Sequence, residues 1–289
     1  MSLEWRWNPG TDRTGRSRGP VMVAAFEGWN DAGEAATAAV EHLQQAWGAQ
    51  PFASIDCEEF HDFTSTRPLV RLMGDHRVVD WPDHTFTWAE PPGSDGVILL
   101  RAVEPQLRWR TYCEHVLEVA AATGCRLVIT LGALLADVPH TRPAPVFGAA
   151  YDDEVVARLQ LQPSRYEGPT GIVGVLHAAC HDVGVDSASL WAAVPAYVPS
   201  TPAPLAALAL LDRAQPLIGS VAEAPDLRTA ARGYEQAIDE LIEDDEGTVD
   251  YVRRLEEQFD AEQSEHPAAG EALNPDGLVE EVERFLREQ

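Results

Sequence analysis

The feature that most restricts the fold is an alternation running from residue 21 to residue 216. Short continuous apolar runs take turns with segments whose apolar residues recur every three or four positions. "VMVAAF" (21–26), "PFASI" (51–55), "GVILLRAVEP" (96–105), "RLVITLGALL" (126–135) and "ASLWAAVPAYV" (188–198) have the length and composition of strands buried on both faces. Between them, Ala32 to Trp47, Trp109 to Ala120, "GIVGVLHAACHDVGV" (171–185) and "PAPLAALALLDRAQP" (202–216) repeat at helical spacing. The last is expected to start at a Pro and to be closed by another. Residues 69–90 read as short antiparallel strands with turns. Strand and helix in alternation predict βαβ units, hence an α/β three-layer sandwich with a mostly parallel central sheet. The polar, Gly- and Pro-rich stretches follow the strands, at the sheet edge where ligands of such folds sit.

The charge distribution divides the chain further. The net charge is −26, and residues 234–289 hold 19 acidic residues against four arginines. Three narrow apolar stripes lie in this part: Tyr234, Ala237, Ile238, Leu241 and Ile242; Tyr251, Val252, Leu255 and Phe259; and Leu278, Val279, Val282, Phe285 and Leu286. A narrow stripe makes no core by itself and needs the α/β part or another subunit to pack on. The expected organisation is an N-terminal extension (1–20), an α/β core (21–220) and a C-terminal acidic helical segment (221–289), with a loop at 264–277.

Composition removes several classes of function. So strong a negative charge disfavours an extended nucleic-acid surface. All 21 basic residues are Arg, so Schiff-base, Walker-lysine and lysine-base chemistries are absent. The four cysteines (Cys57, Cys113, Cys125 and Cys180) form no C-x-x-C pair, and reduced thiols in a cytoplasm are expected. Neither a membrane span nor a secretory leader is expected. No cofactor and no metal is expected. His177 and His181 have a zinc-compatible i, i+4 spacing, but Ala178 stands where a metalloprotease helix has Glu. No G-x-S-x-G elbow occurs, and no G-x-G-x-x-G follows the first strand.

The candidate site is a crevice at the C-terminal strand ends, formed by Glu27, Gly28, Trp29, Asn30, Asp31, Glu59, Asp62, Arg67, His140, Arg142 and Glu167. In "EGWNDAG" (27–33), Asp31 and Glu34 read as a capping box that opens a helix, with the Asp31 side chain accepting from the Glu34 N–H. Three carboxylates in that turn oppose a phosphate and leave a cation, an amine or a protein arginine as partners. Trp29 reads as a lid or an interface anchor. "EEFHDF" (58–63) alternates as a strand would, with Glu59, His61 and Phe63 on one face. Two Thr-Arg-Pro segments (66–68 and 141–143) hold Arg67 and Arg142 extended, able to pair with Glu27, Asp31 or Glu59 or to hold a substrate acid. His140, beside Asp137 and Arg142, is the acid/base candidate by location. No residue set completes a catalytic constellation, and catalytic activity is left open.

"AFEGWNDAG" (25–33), "EEFHDFTSTRP" (58–68), "DVPHTRP" (137–143), "YEGPTGIVGVL" (166–176), "SLWAAVPAYV" (189–198) and the late "DELIEDDEGTVDYVRRLEE" (239–257) together resemble the proteasome assembly chaperone 2 family in its actinobacterial form. The resemblance spans nearly the whole chain. It implies an α/β sandwich related to phosphorylase- and hydrolase-like folds, a helical appendage and a homo-oligomer, with a trimer favoured. It implies a protein-interaction or assembly role, with a protein client and with neither nucleic acid nor membrane as partner. The alternative is a small-molecule-binding protein or hydrolase-like enzyme using the crevice.

Overall fold

The first apolar run is apolar throughout because it is covered twice. Val21, Val23 and Ala25 enter one hydrophobic cluster, and Met22, Ala24 and Phe26 enter a second on the opposite side of the sheet. In a computed structural model of the protein, residues 3–7, 9, 18–164 and 167–265 are described. They form β1 (Leu3–Trp5), β2 (Val21–Glu27), α1 (Ala35–Ala46), β3 (Gln50–Ile55), β4 (Leu69–Met73), β5 (His76–Asp80), β6 (His84–Ala89), β7 (Val97–Val103), α2 (Trp109–Thr123), β8 (Leu127–Ala136), β9 (Val146–Ala150), α3 (Asp153–Leu159), β10 (Gln162–Pro163), α4 (Ile172–Val183), β11 (Ser187–Pro195), α5 (Pro204–Ile218), α6 (Pro225–Ile242) and α7 (Glu246–Glu265).

Nine strands make one sheet in the order β1-β3-β6-β7-β2-β8-β11-β9-β10. Its heart, β7-β2-β8-β11, is parallel. β3 and β6 extend it antiparallel beyond β7, and β9 pairs antiparallel with β11 at the other end. Helices α1 and α5 cover one face and α2 and α4 the other, which gives the three layers. Residues 3–5, ahead of the α/β part, add an edge strand by pairing with Ala53–Ile55.

Two local expectations are corrected. Residues 58–63 are not a strand. Asp56 accepts a bond from the Glu58 N–H, which curls Cys57–Glu59 into a 3-10 turn. Phe60, fully buried, follows it and accepts two backbone bonds from Gln106 and Leu107. Pro216 does not close its helix. α5 runs on to Ile218 and ends at Gly219, whose left-handed φ of 87° lets its N–H reach the Gln215 carbonyl. The short antiparallel strands expected in residues 69–90 are present as β4, β5 and β6, of which β4 and β5 pair with each other outside the main sheet.

Helix α6 packs on α5, and α7 follows it. Tyr234, Ile238, Ile242 and Val252 bury against Val198, Tyr197 and Leu205. The stripe on α6 is narrower than its sequence suggests, because Leu241 is exposed and only Tyr234, Ile238 and Ile242 of the five turn inward. The stripe at 278–286 lies outside the described residues.

Candidate functional site

The turn "EGWNDAG" leaves the C-terminal end of β2 and is tied down at two points. The Ala133 N–H donates to the Asn30 carbonyl at 2.8 Å, zipping the turn to β8, and the Ala203 N–H donates to the Gly33 carbonyl at 2.8 Å. These ties shift the start of α1 to residue 35. A single 3-10 turn, Ala32–Glu34, precedes it, and Glu34 adopts a left-handed φ of 53°. The expected Asp31–Glu34 capping box therefore does not form. The Asp31 carboxylate reaches across the 3-10 turn instead. It accepts from the Ala36 N–H at 2.7 Å, from the Thr37 N–H at 3.3 Å and from the Thr37 hydroxyl. Asp31 is buried, and burial pushes its carboxyl up to about 6 against the opposing pull of those hydrogen bonds.

The candidate residues separate into groups with different partners. Gly28, Trp29 and Asn30 line a cavity of about 340 Å³ beside the C-terminal ends of β2 and β8. Glu27 points elsewhere, 2.7 Å from Arg101. Glu59 pairs with Arg108, a half-exposed contact. Asp62 closes its own loop by accepting from the Thr64 N–H at 2.9 Å and the Thr64 hydroxyl at 2.6 Å. Arg67 is exposed at the base of the β4–β5 hairpin, and Glu167 is exposed ahead of α4.

"DVPHTRP" turns toward the C-terminal helices. The Tyr251 hydroxyl donates to Asp137 at 2.6 Å, and Thr141 donates to Glu256. Arg142 binds Asp260 through two N–H groups, at 2.9 and 2.8 Å, and Glu256 at 3.2 Å. These carboxylates hold the Arg142 guanidinium well above its ordinary pKa, the Asp260 hydrogen bond first. His140 is 1% exposed, with Nδ1 2.7 Å from the Tyr197 hydroxyl and Nε2 3.1 Å from Asp239 on α6. The segment is thus a clasp in which each polar group meets α6, α7 or the loop beneath them.

His61, on the misread strand, enters a buried chain. Its Nε2 lies 2.6 Å from the Nε2 of His84, whose Nδ1 lies 2.9 Å from the Tyr112 hydroxyl. Burial, then the neighbouring His61, drives His84 down to about 3. His177 and His181 diverge, the first buried and the second exposed. Among the described residues no group of three or more His, Cys, Asp or Glu side chains converges as a metal site, and all four cysteines are free thiols.

The cavity is mostly apolar and lies at this sheet edge. Its floor comes from β8, β9 and β11, including Leu135, Phe147 and Trp191, and its far wall is the start of α4. Gly171, at that start, is packed too closely for any side chain. A Cβ there would stand 2.7 Å from both Asn30 Oδ1 and Glu104 Oε1. Glu104 accepts from the Ile172 N–H at 2.9 Å, so a carboxylate of the chain already occupies the positive end of α4. His177, one turn and a half along α4, also lines the cavity, with Nε2 2.8 Å from the Thr130 hydroxyl. Sequence reading missed Glu104, Phe147, Tyr151 and Trp191. Trp191 lies in register with Gly132 on β8 and Phe147 on β9, a juxtaposition that no local pattern encodes.

Fold and site together define a three-layer α/β sandwich with an apolar crevice at its strand ends and a clasped helical cover. The sequence profile of the PAC2 family matches residues 25–242, and the chain belongs to that family. The solved structure of a PAC2 family protein from Streptomyces avermitilis is 45% identical, covers 81% of this chain and 99% of its own, and has a TM-score of 0.75. A proteasome-assembly chaperone homologue from Mycobacterium tuberculosis is also 45% identical, over 80% of this chain and 99% of its own, with a TM-score of 0.73. An archaeal proteasome activator from Pyrococcus furiosus shares the fold at 16% identity, a TM-score of 0.66, and coverage of 83% of this chain and 98% of its own. No curated protein matches the sequence. Among the described residues no helix is long and apolar enough to cross a membrane.

Proposed function

We propose that the protein is an oligomeric interaction factor of the cytoplasm that assists assembly of a proteasome-class complex. The observation that carries this reading is the β4–β5 hairpin. Leu69, Val70, Leu72, Met73, Val79 and Trp81 are 66, 59, 72, 67, 45 and 54% exposed. By the strand register, Leu69, Met73 and Val78 share one face, and Val70, Leu72 and Val79 share the other. A lone two-stranded hairpin is marginal in water, and contiguous exposed apolar surface marks a contact with another macromolecule. The arm also bears Arg67, Arg71 and Arg77, in a chain whose net charge is −26. A second copy of the chain offers the acidic surface that complements it. An arm reaching onto the next copy is a head-to-tail contact, which makes a ring when its rotation closes, and a trimer is the closure proposed.

The relatives named for proteasome assembly and activation support the client side of the reading. The test joins both sides. Light scattering should give a multiple of the 31.6 kDa chain mass, and Leu72→Glu should reduce it to one chain. Dissociated proteasome subunits of the host organism should reassemble faster with the wild-type protein than with Leu72→Glu. A monomeric wild type, or an arm variant that keeps both mass and assembly rate, would overturn the proposal. The hydrolase-like alternative would need a nucleophile open to substrate. Thr130, whose hydroxyl lies 2.8 Å from His177 Nε2, is fully buried in β8 and is not among the residues that line the cavity.

A further inference from the structure

The cavity beside Trp29 has a chemistry that the interaction role does not use. Asn30 is 1% exposed, and neither its Oδ1 nor its Nδ2 has a hydrogen-bond partner among the described residues. His177 is 4% exposed, and its Nδ1 likewise has none there, because Nε2 is the nitrogen engaged with Thr130. Leaving a buried polar group unpaired is unfavourable, so two such side chains lining one cavity indicate that the cavity is built to receive a polar edge. The other walls are aromatic, from Trp29, Phe147, Tyr151 and Trp191. Among the described lining residues there is no Arg, Asp or Glu. Glu104 holds the α4 N-terminus, which disfavours a phosphate or carboxylate at the place where an α/β fold would otherwise bind one.

We propose that this cavity binds a neutral planar heterocycle whose adjacent C=O and N–H pair with the Asn30 carboxamide, its ring held between the aromatic walls and a second polar atom meeting His177. A carboxamide offers one donor and one acceptor in a plane, which is the complement of a cyclic amide. Burial lowers His177 to about 4, so the imidazole is neutral at physiological pH and presents Nδ1 as donor or acceptor according to tautomer. A volume of about 340 Å³ lies within the usual range for small-molecule sites. This inference is independent of the hairpin arm.

The test titrates the full chain with three bicyclic probes of similar size, read by calorimetry and by the fluorescence of Trp29 and Trp191. Isoquinolin-1(2H)-one presents the cyclic amide, isoquinoline lacks the N–H and C=O pair, and 1-naphthoate bears a charge. The lactam should bind saturably, about tenfold more tightly than either other probe, the difference expected for the loss of a paired hydrogen-bonding edge. Asn30→Leu should abolish that preference while leaving the oligomer mass unchanged. Should Asn30→Leu misfold, the near-isosteric Asn30→Asp keeps the shape, loses the donor and should weaken the lactam by the same factor. His177→Phe should weaken it less. Equal binding of all three probes, a lactam affinity unchanged in Asn30→Leu or Asn30→Asp, or no saturable binding to the folded wild type would each overturn the proposal.

Discussion

Asp31 gives the sharpest test of the site's electrostatics, because a buried carboxyl with three donors couples local geometry to stability. Its folded value of about 6, against 3.8 for the ordinary carboxyl, means that the folded chain keeps a proton which the unfolded chain has already released. Stability therefore falls as pH rises through this window. Ionised Asp31 makes the folded state weaker by about 3 kcal/mol relative to the protonated form. That contribution is fully present below about pH 4 and is gone by about pH 7. Asp31→Asn is neutral throughout and retains an oxygen to accept from the Ala36 and Thr37 N–H groups. Asn also caps helices as well as Asp does. Urea unfolding of both proteins at one protomer concentration isolates the effect, since the other titrating groups cancel in the difference. The variant should gain about 3 kcal/mol on the wild type between about pH 4 and about pH 7.5. Thr37→Val, which removes the hydroxyl bound to the ionised form, should be near wild type at the acid end and weaker at the neutral end. A difference between Asp31→Asn and wild type that stays flat across the range would refute the reasoning.

Acid should act on the histidines in the opposite sense. His84 is neutral in the fold down to about 3, so protons that bind the unfolded chain below about pH 6.5 favour unfolding by about 1.4 kcal/mol per pH unit. His84→Leu should remove that slope between about pH 6 and about pH 5, and an unchanged slope in chemical denaturation would contradict the burial of the His61–His84–Tyr112 chain. Arg142→Ala should loosen α7 locally, raising amide hydrogen exchange in residues 246–262 by about fivefold, the equivalent of about 1 kcal/mol. Exchange in β2 and β8 should not change, because the clasp lies outside the sheet; uniform acceleration would show that the cover and the core unfold together. Gly132→Ala would place a Cβ 2.5 Å from the Trp191 ring, which should cost about 1–3 kcal/mol and shift the tryptophan emission. An unaltered melting temperature would mean that Trp191 does not lie across β8.

Local pattern specified much of the protein. The apolar runs at 21–26, 96–105 and 126–135 are strands β2, β7 and β8, and the stripe Trp109, Tyr112, Cys113, Val116, Val119 and Ala120 is the buried face of α2. This was legible because a run covered on both faces and a stripe of period 3.6 are properties of consecutive residues. The family resemblance was legible for the same reason, as contiguous motifs in order.

The site depended on what is distant in sequence. Asp31 and Glu34 satisfy the capping-box pattern, yet ties from Ala133 and Ala203, both over a hundred residues along the chain from Asp31, move the helix start and give Asp31 to Ala36 and Thr37. His140 and Arg142 look like crevice residues in a loop after a strand. Their partners Asp239, Glu256 and Asp260 make them a clasp instead. The aromatic walls and the unpaired carboxamide of Asn30 appear only when β8, β9, β11 and α4 are brought together. The sequence by itself determined which segments bury their side chains and hence the elements, since burial periodicity is written residue by residue. Only the tertiary structure decided which polar group meets which, since a hydrogen bond or ion pair is set by three-dimensional distance, and the register of strands far apart in the chain fixes that distance.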